Sequence, residues 1–253
     1  MFELNGKTAL VTGASSGLGA HFSRVLAEAG ADVVLAARRT DRLESLAAEI
    51  SATGRKALAV EMDVTSAESV DAGFAKIEAE MGAPADIIVN NAGVSHKAFF
   101  TEMEEDDWDY VMDANLKGVW RVAKAGANAL IKAGKPGAII NTASVAGIRV
   151  AQTITAYAVS KAGVDHMTRA MALEMARYKI RVNAIAPGYF KTEMNTEFLE
   201  SEHGAELAKR IPMRRTGDVH ELAGPLLLLA SDAGSFMTGA TIVVDGGHMH
   251  AGL

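Results

Sequence analysis

Short apolar runs alternate with longer amphipathic segments along the whole chain, and this alternation restricts the possible folds more than any other feature. The short runs are Thr8–Thr12, Asp32–Ala37, Ala57–Met62, Asp86–Asn91, Gly137–Ser144, Ile180–Ala186 and Ala240–Asp245. They show little polar alternation, which is typical of strands buried on both faces of a parallel sheet. The helical segments between them include Leu18–Ala29, Asp41–Ala52, Ser66–Met81, Glu104–Ala133, Thr155–Tyr178 and Val219–Ser231. We therefore expect an α/β fold, a doubly wound parallel sheet of about seven strands with helices on both faces.

No boundary divides the chain into separate domains. The 253 residues contain no linker, low-complexity tract or fixed-period repeat, so one domain over residues 1–253 is expected. The least regular stretch is the polar segment 189–217, between the sixth and seventh strands. Because ligands bind at the carboxyl ends of strands in such folds, this segment is expected to cover a site. A plain surface excursion is the alternative.

The composition excludes several classes of function. The chain has no cysteine, which rules out disulfides, thiolate zinc sites and cysteine nucleophiles. Its net charge is −6 and no dense basic stripe is visible, so no nucleic-acid partner is expected. No apolar run approaches the ~20 residues of a membrane span, and the N-terminus lacks a signal-peptide pattern. We therefore predict a cytoplasmic protein without a membrane partner.

A glycine-rich turn follows the first predicted strand. The sequence "TGASSGLG" places Gly13, Gly17 and Gly19 where that strand gives way to a helix. Glycines permit a tight turn and a close approach of the backbone to a ligand, and the helix N-terminus offers free N–H groups to a phosphate. The alternative is a turn that serves only the packing of helix against strand.

A phenol and an ammonium group stand four residues apart in "TITAYAVSKAG". On a helix, Tyr157 and Lys161 would lie on one face, and the cation would favour the phenolate and lower the pKa of the tyrosine. The pair could therefore act as an acid and base near neutral pH. An exposed lysine beside a half-buried tyrosine on an amphipathic helix is the alternative.

The order of these motifs resembles that of the short-chain dehydrogenase/reductase family. The resemblance covers nearly the whole chain and rests on T-G-x-x-x-G-x-G at 12–19, "NNAG" at 90–93, "DANLKG" at 113–118, Ser144, Y-x-x-x-K at 157–161 and "PGYFKTEM" at 187–194. It implies a Rossmann-type sheet and a nicotinamide cofactor. The hydride belongs to such a cofactor, whereas the protein supplies position and electric field.

The resemblance also implies catalytic roles for four residues. Tyr157 would donate a proton to a carbonyl oxygen or accept one from an alcohol. Lys161 would bind the nicotinamide ribose and lower the pKa of Tyr157. Ser144 would hydrogen-bond to the substrate oxygen, and Asn115 would hold a water that relays protons to Lys161. The alternatives are a turn-capping serine and a polar residue within a helix.

The resemblance also implies which further residues bind the cofactor. Asp63 and Val64 should flank the adenine, and Asn90, Ala92 and Gly93 should line the adenosine ribose. The nicotinamide amide should be positioned by Pro187, Gly188, Phe190 and Thr192. The phosphate-binding loop is expected to comprise Gly13, Ser15, Ser16, Gly17, Leu18 and Gly19.

The end of the second strand favours NADP(H) over NAD(H). Folds that prefer NAD usually have an acidic residue there, about 20 residues beyond the glycine loop, for the ribose 2′-hydroxyl. Here that position is Ala37, and Arg38 and Arg39 follow. A guanidinium can bind a 2′-phosphate, and Ser15 or Ser16 could donate a hydroxyl to it. Solvated arginines at the start of the next helix are the alternative.

The substrate is expected to be a small carbonyl compound or alcohol. Its pocket should be bounded by Ser95, His96, Phe99, Val145–Ile154, Tyr189, Met194 and Phe198. These mainly apolar or small residues favour an apolar body over a polyol. A 3-oxoacyl-thioester reductase remains an alternative, with entrance residues Lys132, Lys135, Arg177 and Lys179, and so does an enzyme for hydroxysteroids, sugars or xenobiotic carbonyl compounds. A non-catalytic NADP(H)-sensing regulator is a further alternative.

Two expectations concern assembly and metals. The resemblance implies a homotetramer, with one interface on the segments Glu104–Ala133 and Thr155–Tyr178. His248 and His250 are the only close histidine pair, and no cluster of carboxylates accompanies them. We therefore interpret them as residues of a C-terminal tail and expect no metal site.

Overall fold

A single parallel sheet of seven strands, in the order β3–β2–β1–β4–β5–β6–β7, organises the chain in a computed structural model that describes residues 1–192 and 196–250. The strands are β1 (Thr8–Thr12), β2 (Asp32–Ala37), β3 (Ala57–Glu61), β4 (Ile87–Asn90), β5 (Gly137–Thr142), β6 (Ile180–Pro187) and β7 (Thr241–Val244). The α-helices are α1 (Gly17–Glu28), α2 (Thr40–Ser51), α3 (Ala67–Met81), α4 (Glu105–Met112), α5 (Gly118–Lys132), α6 (Thr155–Met175), α7 (Thr196–Glu200), α8 (Glu202–Arg210) and α9 (Ala223–Ala230). The predicted Rossmann-type α/β fold is confirmed.

Both faces of the sheet are covered, which explains why the strands lack polar alternation. In β1, Ala9 and Val11 pack with Phe22 of α1 on one face. Leu10 packs with Val122 of α5 on the other face. All three β1 side chains are fully buried. Apolar residues are therefore required at these three interior positions of β1, on both faces of the sheet.

The predicted helix Glu104–Ala133 is interrupted. Between α4 and α5 the chain forms a π-helical turn at Asp113–Lys117, and the helical path otherwise continues. A π-turn inserts one residue into the repeat and re-aims the side chains within it, and such turns occur frequently at functional sites. The apolar periodicity that predicts a helix does not reveal this local change in hydrogen bonding.

The strand order reverses between β1 and β4. The connections that follow these two strands leave in opposite directions, so a crevice opens at the carboxyl edge of the sheet. The glycine turn after β1 and the "NNAG" segment after β4 lie at this edge. None of the helices in the described ranges combines the length and apolar composition that crossing a bilayer requires.

A chain of buried polar side chains crosses from the sheet to α6. The amide of Asn90 donates to Oδ1 of Asn141 (2.8 Å), and Nδ2 of Asn141 donates to Oγ1 of Thr168 (2.9 Å). Thr168 in turn donates to the carbonyl of Val164 (2.7 Å). The three polar side chains are at most 2% exposed. Each depends on its neighbour, because buried polar groups without partners are costly.

The substitution Asn141→Val should therefore lower the free energy of unfolding by ~2–4 kcal/mol, because it leaves the Asn90 amide buried without its acceptor. Urea denaturation measures this change. A second substitution, Asn90→Val, in the same chain should restore part of the loss, because it removes the stranded amide. If the double variant were less stable than Asn141→Val alone, the hydrogen bond would not be the cause.

Candidate functional site

The glycine turn after β1 is closely packed against the segment after β4. Gly13 has a φ of +67°, and a Cβ there would lie 2.8 Å from Cα of Ala92. A Cβ on Gly19 would lie 2.2 Å from the carbonyl oxygen of Gly13. Both positions therefore require glycine. Helix α1 begins at Gly17, so its free N–H groups face the crevice, which is a suitable cradle for a phosphate.

Arg39 reaches back from the end of β2 to the glycine turn. Its Nη2 atom donates to Oγ of Ser15 (2.8 Å) and to Oγ of Ser16 (2.9 Å). Ala37 occupies the position at which an acidic residue would favour a ribose hydroxyl. Arg38 also lines the crevice. Two arginines and two serine hydroxyls thus line the same cleft, and such groups are suited to bind a phosphate monoester.

Thr12, at the end of β1, fixes the floor of the crevice. Its Oγ1 atom accepts hydrogen bonds from the backbone N–H groups of Asn91 (3.0 Å) and Ala92 (3.1 Å). The side chain of Asn91 donates to the Thr12 carbonyl (3.1 Å). Sequence analysis named neither Thr12 nor Asn91 as a site residue, although both belong to the motifs that it quoted.

Asn115 joins the π-helical turn to the loop after β4. Its Oδ1 accepts from the N–H of Val94 (2.8 Å), and its Nδ2 donates to the Val94 carbonyl (2.9 Å) and to Oγ of Ser160 (3.1 Å). The residue is completely buried. Both Oδ1 of Asn115 and Nζ of Lys161 lie within 4 Å of the point where a Cβ would project from Gly93.

Ser144, Tyr157 and Lys161 meet at the end of β5. The phenol of Tyr157 hydrogen-bonds to the hydroxyl of Ser144. Nζ of Lys161 donates to the carbonyl of Thr142 (2.7 Å) and lies 5.7 Å from the centroid of the Tyr157 ring. One turn of α6 therefore places the ammonium group beside the phenol, as the four-residue spacing predicts. Thr142 is a further residue that sequence analysis did not name.

The pKa of Tyr157 moves in the direction opposite to the predicted one. Burial raises it above the ordinary value, and the hydrogen bond with Ser144 only partly opposes this change. Burial also lowers the pKa of Lys161 from 10.5 to about 8. The four-residue spacing indicated that the two groups are close, but it did not indicate that Lys161 is buried and Tyr157 partly buried, which opposes the charged form of each.

The end of β6 borders the crevice beside the glycine turn. Gly188 donates its N–H to the carbonyl of Val244 (2.8 Å), and Phe190 is only 4% exposed. The methyl carbon of Thr192 lies 3.9 Å from the point where a Cβ would project from Gly17. The segment that follows β6 thus lies directly against the glycine turn that follows β1.

These elements together enclose a cleft of about 420 Å³. The predicted site residues that line it are Gly13, Ser15, Ser16, Gly17, Leu18, Arg38, Arg39, Asp63, Val64, Ala92, Gly93, Ser144, Tyr157, Lys161, Pro187, Gly188, Phe190 and Thr192. Gly19, Asn90 and Asn115 do not line it. Gly19 packs against Gly13, and Asn90 points into the sheet toward Asn141. Asn91, Val94, Tyr110 and Ala114 line the cleft without having been predicted.

Residues that were predicted to bound the substrate lie outside the cleft. Phe99 is 57% exposed, and Nε2 of His96 lies 3.3 Å from a carboxylate oxygen of Asp107. Neither residue lines the cleft, and Ser95 does not line it either. The backbone of Ala98 pairs with that of Ile154, which joins the loop after β4 to the loop that precedes α6. Met194 and the Phe198 side chain lie outside the described part of the chain.

The four basic residues that were predicted to border the entrance of the cleft lie at the amino edge of the sheet, opposite the cleft. Lys135 lies 2.9 Å from Asp86, just before β4, and the Lys179 carbonyl accepts from the N–H of Gly137 at the start of β5. Lys132 ends α5, which precedes β5, and Arg177 precedes β6. In a parallel sheet the amino ends of all strands share one edge, opposite the cleft. These four residues therefore cannot border its entrance.

The two C-terminal histidines lie in an ordered turn rather than in a loose tail. The ring of His248 packs edge-on against Tyr189, with 5.5 Å between centroids, and its carbonyl accepts from Nη1 of Arg149 (2.8 Å). Among residues 1–192 and 196–250, no three His, Asp or Glu side chains are grouped as metal ligands would be.

Fold and cleft together define a Rossmann-type, dinucleotide-binding protein, and comparisons identify its family. A family model described as enoyl-(acyl carrier protein) reductase matches residues 13–249. Gluconate 5-dehydrogenase of Gluconobacter oxydans strain 621H is 40% identical over 248 residues, covering 98% of this chain and 96% of that protein. The chain belongs to the short-chain dehydrogenase/reductase family, which confirms the predicted resemblance.

Other relatives and solved structures are similarly close. The 5-keto-D-gluconate 5-reductase of Escherichia coli K12 is 38% identical over 252 residues, covering 99% of this chain and 98% of that protein. The crystal structure of a gluconate 5-dehydrogenase from Burkholderia cenocepacia J2315, in complex with NADP and tartrate, superimposes with a TM-score of 0.95 at 40% identity and covers 99% and 98% of the two chains. A short-chain type dehydrogenase/reductase from Mycobacterium marinum gives a TM-score of 0.93 at 41% identity, covering 98% and 97%.

The substitution Lys161→Met should stabilise the protein at pH 7, because it removes a buried amine whose charging the fold opposes. The folded-state pKa of about 8 lies below the unfolded value of 10.5. Between these two pKa values the unfolded lysine is charged and the folded one is neutral, so unfolding takes up a proton. The free energy of unfolding of the wild-type protein therefore falls as the pH decreases from 10.5 to about 8. We expect a gain of ~2 kcal/mol after allowing for the lost hydrogen bond to Thr142.

Urea denaturation of both proteins at pH 7 and pH 10 measures this difference. The advantage of Lys161→Met should be largest at pH 7 and should shrink toward pH 10, where the unfolded lysine also loses charge. A variant that is less stable than the wild type at pH 7 would show that the amine does not destabilise the fold.

Proposed function

We propose that the protein is an NADP(H)-dependent oxidoreductase that transfers a hydride between nicotinamide and a carbonyl or secondary alcohol, with Tyr157 as the general acid and base. The observation that carries this proposal is the grouping of Ser144, Tyr157 and Lys161 at the same edge of the sheet as the glycine turn. A phosphate cradle and a proton-transfer set thus share one cleft. The family membership of the chain supports the same conclusion.

The residues of the cleft fit the cofactor. Gly13 and Gly19 let the turn pack closely against the segment after β4, and this packing sets the N-terminus of α1 at the cleft, where its N–H groups are suited to bind a pyrophosphate. Thr192 and Gly188, after β6, are suited to hold the nicotinamide amide opposite that turn. The adenine end is bordered by Asp63 and Val64. When bound, the cofactor supplies the hydride.

The protein's own residues manage the proton. In the reducing direction Tyr157 donates its phenolic proton to the carbonyl oxygen, while the Ser144 hydroxyl donates a hydrogen bond to the same oxygen and stabilises its developing charge. Lys161, whose pKa is about 8, is mostly protonated at pH 7. Its positive charge beside the ring favours the phenolate that remains.

We also propose that a water held by Asn115 returns a proton toward Lys161. One lone pair of Asn115 Oδ1 is used by Val94, and an amide oxygen has two. The absence of a side chain at Gly93 leaves space that both Oδ1 and the Lys161 amine border. A water in this space could hydrogen-bond to both groups.

The preference for NADP(H) rests on the 2′-phosphate end of the cleft. Arg39 is already oriented by Ser15 and Ser16, and Ala37 provides no carboxylate that would repel a phosphate. The Burkholderia gluconate 5-dehydrogenase was crystallised with NADP. These observations favour reduction in cells, where the NADPH pool is generally kept reduced.

The substrate we propose is a sugar acid or its keto form. Several relatives are named for gluconate or for keto acids of the same skeleton. They argue against the apolar substrate that the sequence favoured. The 3-oxoacyl-thioester alternative is weakened, because the basic residues predicted for its entrance lie at the opposite edge of the sheet. The description of the matching family model does include acyl carrier protein. A non-catalytic sensor has no need of a complete Ser–Tyr–Lys set.

We further propose that residues 189–217 cover the bound substrate within a single domain. The base of this segment is closed, since Gly217 donates to the Tyr189 carbonyl (2.9 Å) and a Cβ at Gly217 would lie 2.4 Å from the Phe190 ring. For the chain as a whole we propose a homotetramer. Trp120 and Leu173, on α5 and α6, are 46% and 83% exposed, which supports an interface on these helices.

The substitution Tyr157→Phe should lower kcat for carbonyl reduction by ~10²- to 10⁴-fold, because it removes the proton donor and leaves the ring in place. Consumption of NADPH, followed at several substrate concentrations, measures kcat. The dissociation constant for NADPH, measured by fluorescence titration, should change less than ~3-fold. A wild-type protein that binds NADPH yet reduces no carbonyl compound would instead support the sensor.

The substitution Arg39→Ala should raise the dissociation constant for NADPH by ~10- to 100-fold, because a charge-assisted hydrogen bond to the 2′-phosphate is lost. The dissociation constant for NADH should change less than ~3-fold. Arg177→Ala, which removes an arginine on the opposite edge of the sheet, is the matched control. Equal weakening of both cofactors by Arg39→Ala would contradict the assigned role.

A further inference from the structure

A row of three residues, each four positions from the next, runs from α4 through the π-helical turn into α5. The row consists of Tyr110, Ala114 and Gly118, and residues four apart lie on neighbouring turns of one helical face. Gly118 packs directly against Val64, since a Cβ on this glycine would lie 2.8 Å from Cγ2 of the valine. Tyr110 and Ala114 line the cleft, and so does Val64. The row therefore forms a wall of the cleft at the end that Asp63 and Val64 border.

The other faces of the same helical path hold it in place. Leu116 packs against α6, because its Cδ2 atom lies 2.9 Å from the point where a Cβ would project from Gly163. Asn115 is completely buried and donates to Oγ of Ser160, also on α6 (3.1 Å). These two residues anchor the helix on the side of α6. The side chain of Tyr110, in contrast, borders the cleft.

Tyr110 is a large aromatic residue that contributes little to the apolar core. It is 50% exposed, whereas the adjacent Val111 is fully buried. In the described part of the chain, the three apolar clusters of the fold do not include Tyr110. Ala114, one turn further along, is only 6% exposed, so the wall passes from buried to open at the tyrosine. The ring therefore stands at the mouth of the cleft, with half of its surface accessible to a ligand.

The loop after β3, which meets this wall, is held in a fixed position. Oδ1 of Asp63 accepts hydrogen bonds from the N–H (2.9 Å) and the hydroxyl (2.8 Å) of Thr65. The carbonyl of Val64 accepts from Nη1 of Arg121, on α5 (3.2 Å). The loop is thus tied to the helix that continues the row of Tyr110. This end of the cleft is therefore prepared before a ligand binds, which lowers the cost of ordering it.

Tyr110 supplies the aromatic surface at this end of the cleft. Among the described residues that line the cleft, the other aromatic side chains are Tyr157, beside Ser144, and Phe190, after β6. Phe190 is only 4% exposed and packs against Gly217, so the fold uses its ring. A purine base has a planar face that stacks on an aromatic ring, and such stacking contributes substantially to the binding of nucleotides.

We propose that Tyr110 is a further residue of the cofactor site and that its ring packs against the adenine base of the dinucleotide. This inference rests on the proposed function and adds a contact from α4 to those of the loops after β1, β2 and β3. Adenine is common to NADP(H) and NAD(H), so the contact strengthens the binding of both cofactors equally. In this respect Tyr110 differs from Arg39, whose proposed role concerns the 2′-phosphate alone.

Equilibrium binding of three ligands tests this role without depending on turnover. NADPH, NADH and adenosine 2′,5′-bisphosphate, which lacks the nicotinamide half, are titrated calorimetrically into the wild-type protein and into Tyr110→Ala. The substitution should raise all three dissociation constants by a similar factor, ~5- to 30-fold. Tyr110→Phe, which keeps the ring, should stay within ~2-fold of the wild type. Phe236→Ala, which removes a fully exposed ring at the opposite edge of the sheet, is the matched control and should change none of them.

Four results would overturn the proposal. They are a change below ~2-fold in Tyr110→Ala, a loss for the dinucleotides that the bisphosphate does not share, an equal loss in Tyr110→Phe, and a Tyr110→Ala protein that does not fold. The last result would show that the ring serves the core. A wild-type protein that binds neither NADPH nor NADH would contradict the proposed function itself, whereas wild-type binding that Tyr110→Ala leaves unchanged contradicts only the role of Tyr110.

Discussion

The close contact between the chain after β1 and the chain after β4 is the constraint on which the site depends. Oγ1 of Thr12 holds two backbone N–H groups of the neighbouring segment, at Asn91 and Ala92. Gly13 allows the two backbones to approach, since a Cβ there would lie only 2.8 Å from Cα of Ala92. This contact lies where the strand order reverses, so it fixes the floor of the crevice into which the other elements project their side chains.

The proposed catalytic group is arranged at a cost to stability. Lys161 is only 3% exposed, and its main hydrogen-bond acceptor is the backbone carbonyl of Thr142 rather than a carboxylate. A neighbouring carboxylate would stabilise the ammonium group, but it would also cancel the field that favours the phenolate of Tyr157. The burial of Lys161 without a neighbouring carboxylate supports its proposed role of stabilising the phenolate. Similar compromises are common at active sites.

The secondary structure could largely be predicted from the sequence, whereas hydrogen bonding inside it could not. The strands and most helices end within two residues of the predicted limits, because buried parallel strands and amphipathic helices have different apolar periods. The π-helical turn that orients Asn115 leaves the apolar period of the surrounding helix almost unchanged, so the sequence did not reveal it. Asn90 and Asn91 are adjacent amides in one motif, and only the pleat of β4 decides that the first points into the sheet.

The sequence by itself determined the family, the order of the elements and the identity of the Ser144–Tyr157–Lys161 group, because each depends on residue types at short, fixed spacings. Only the tertiary structure decided which side chains lie next to one another and at which edge of the sheet. It assigned Lys135 and Lys179 to the edge opposite the cleft, and it brought His248 to Tyr189 across 59 residues of sequence. It also reversed the direction in which the pKa of Tyr157 moves. Burial and long-range contact arise from how all the elements pack, so no local spacing encodes them.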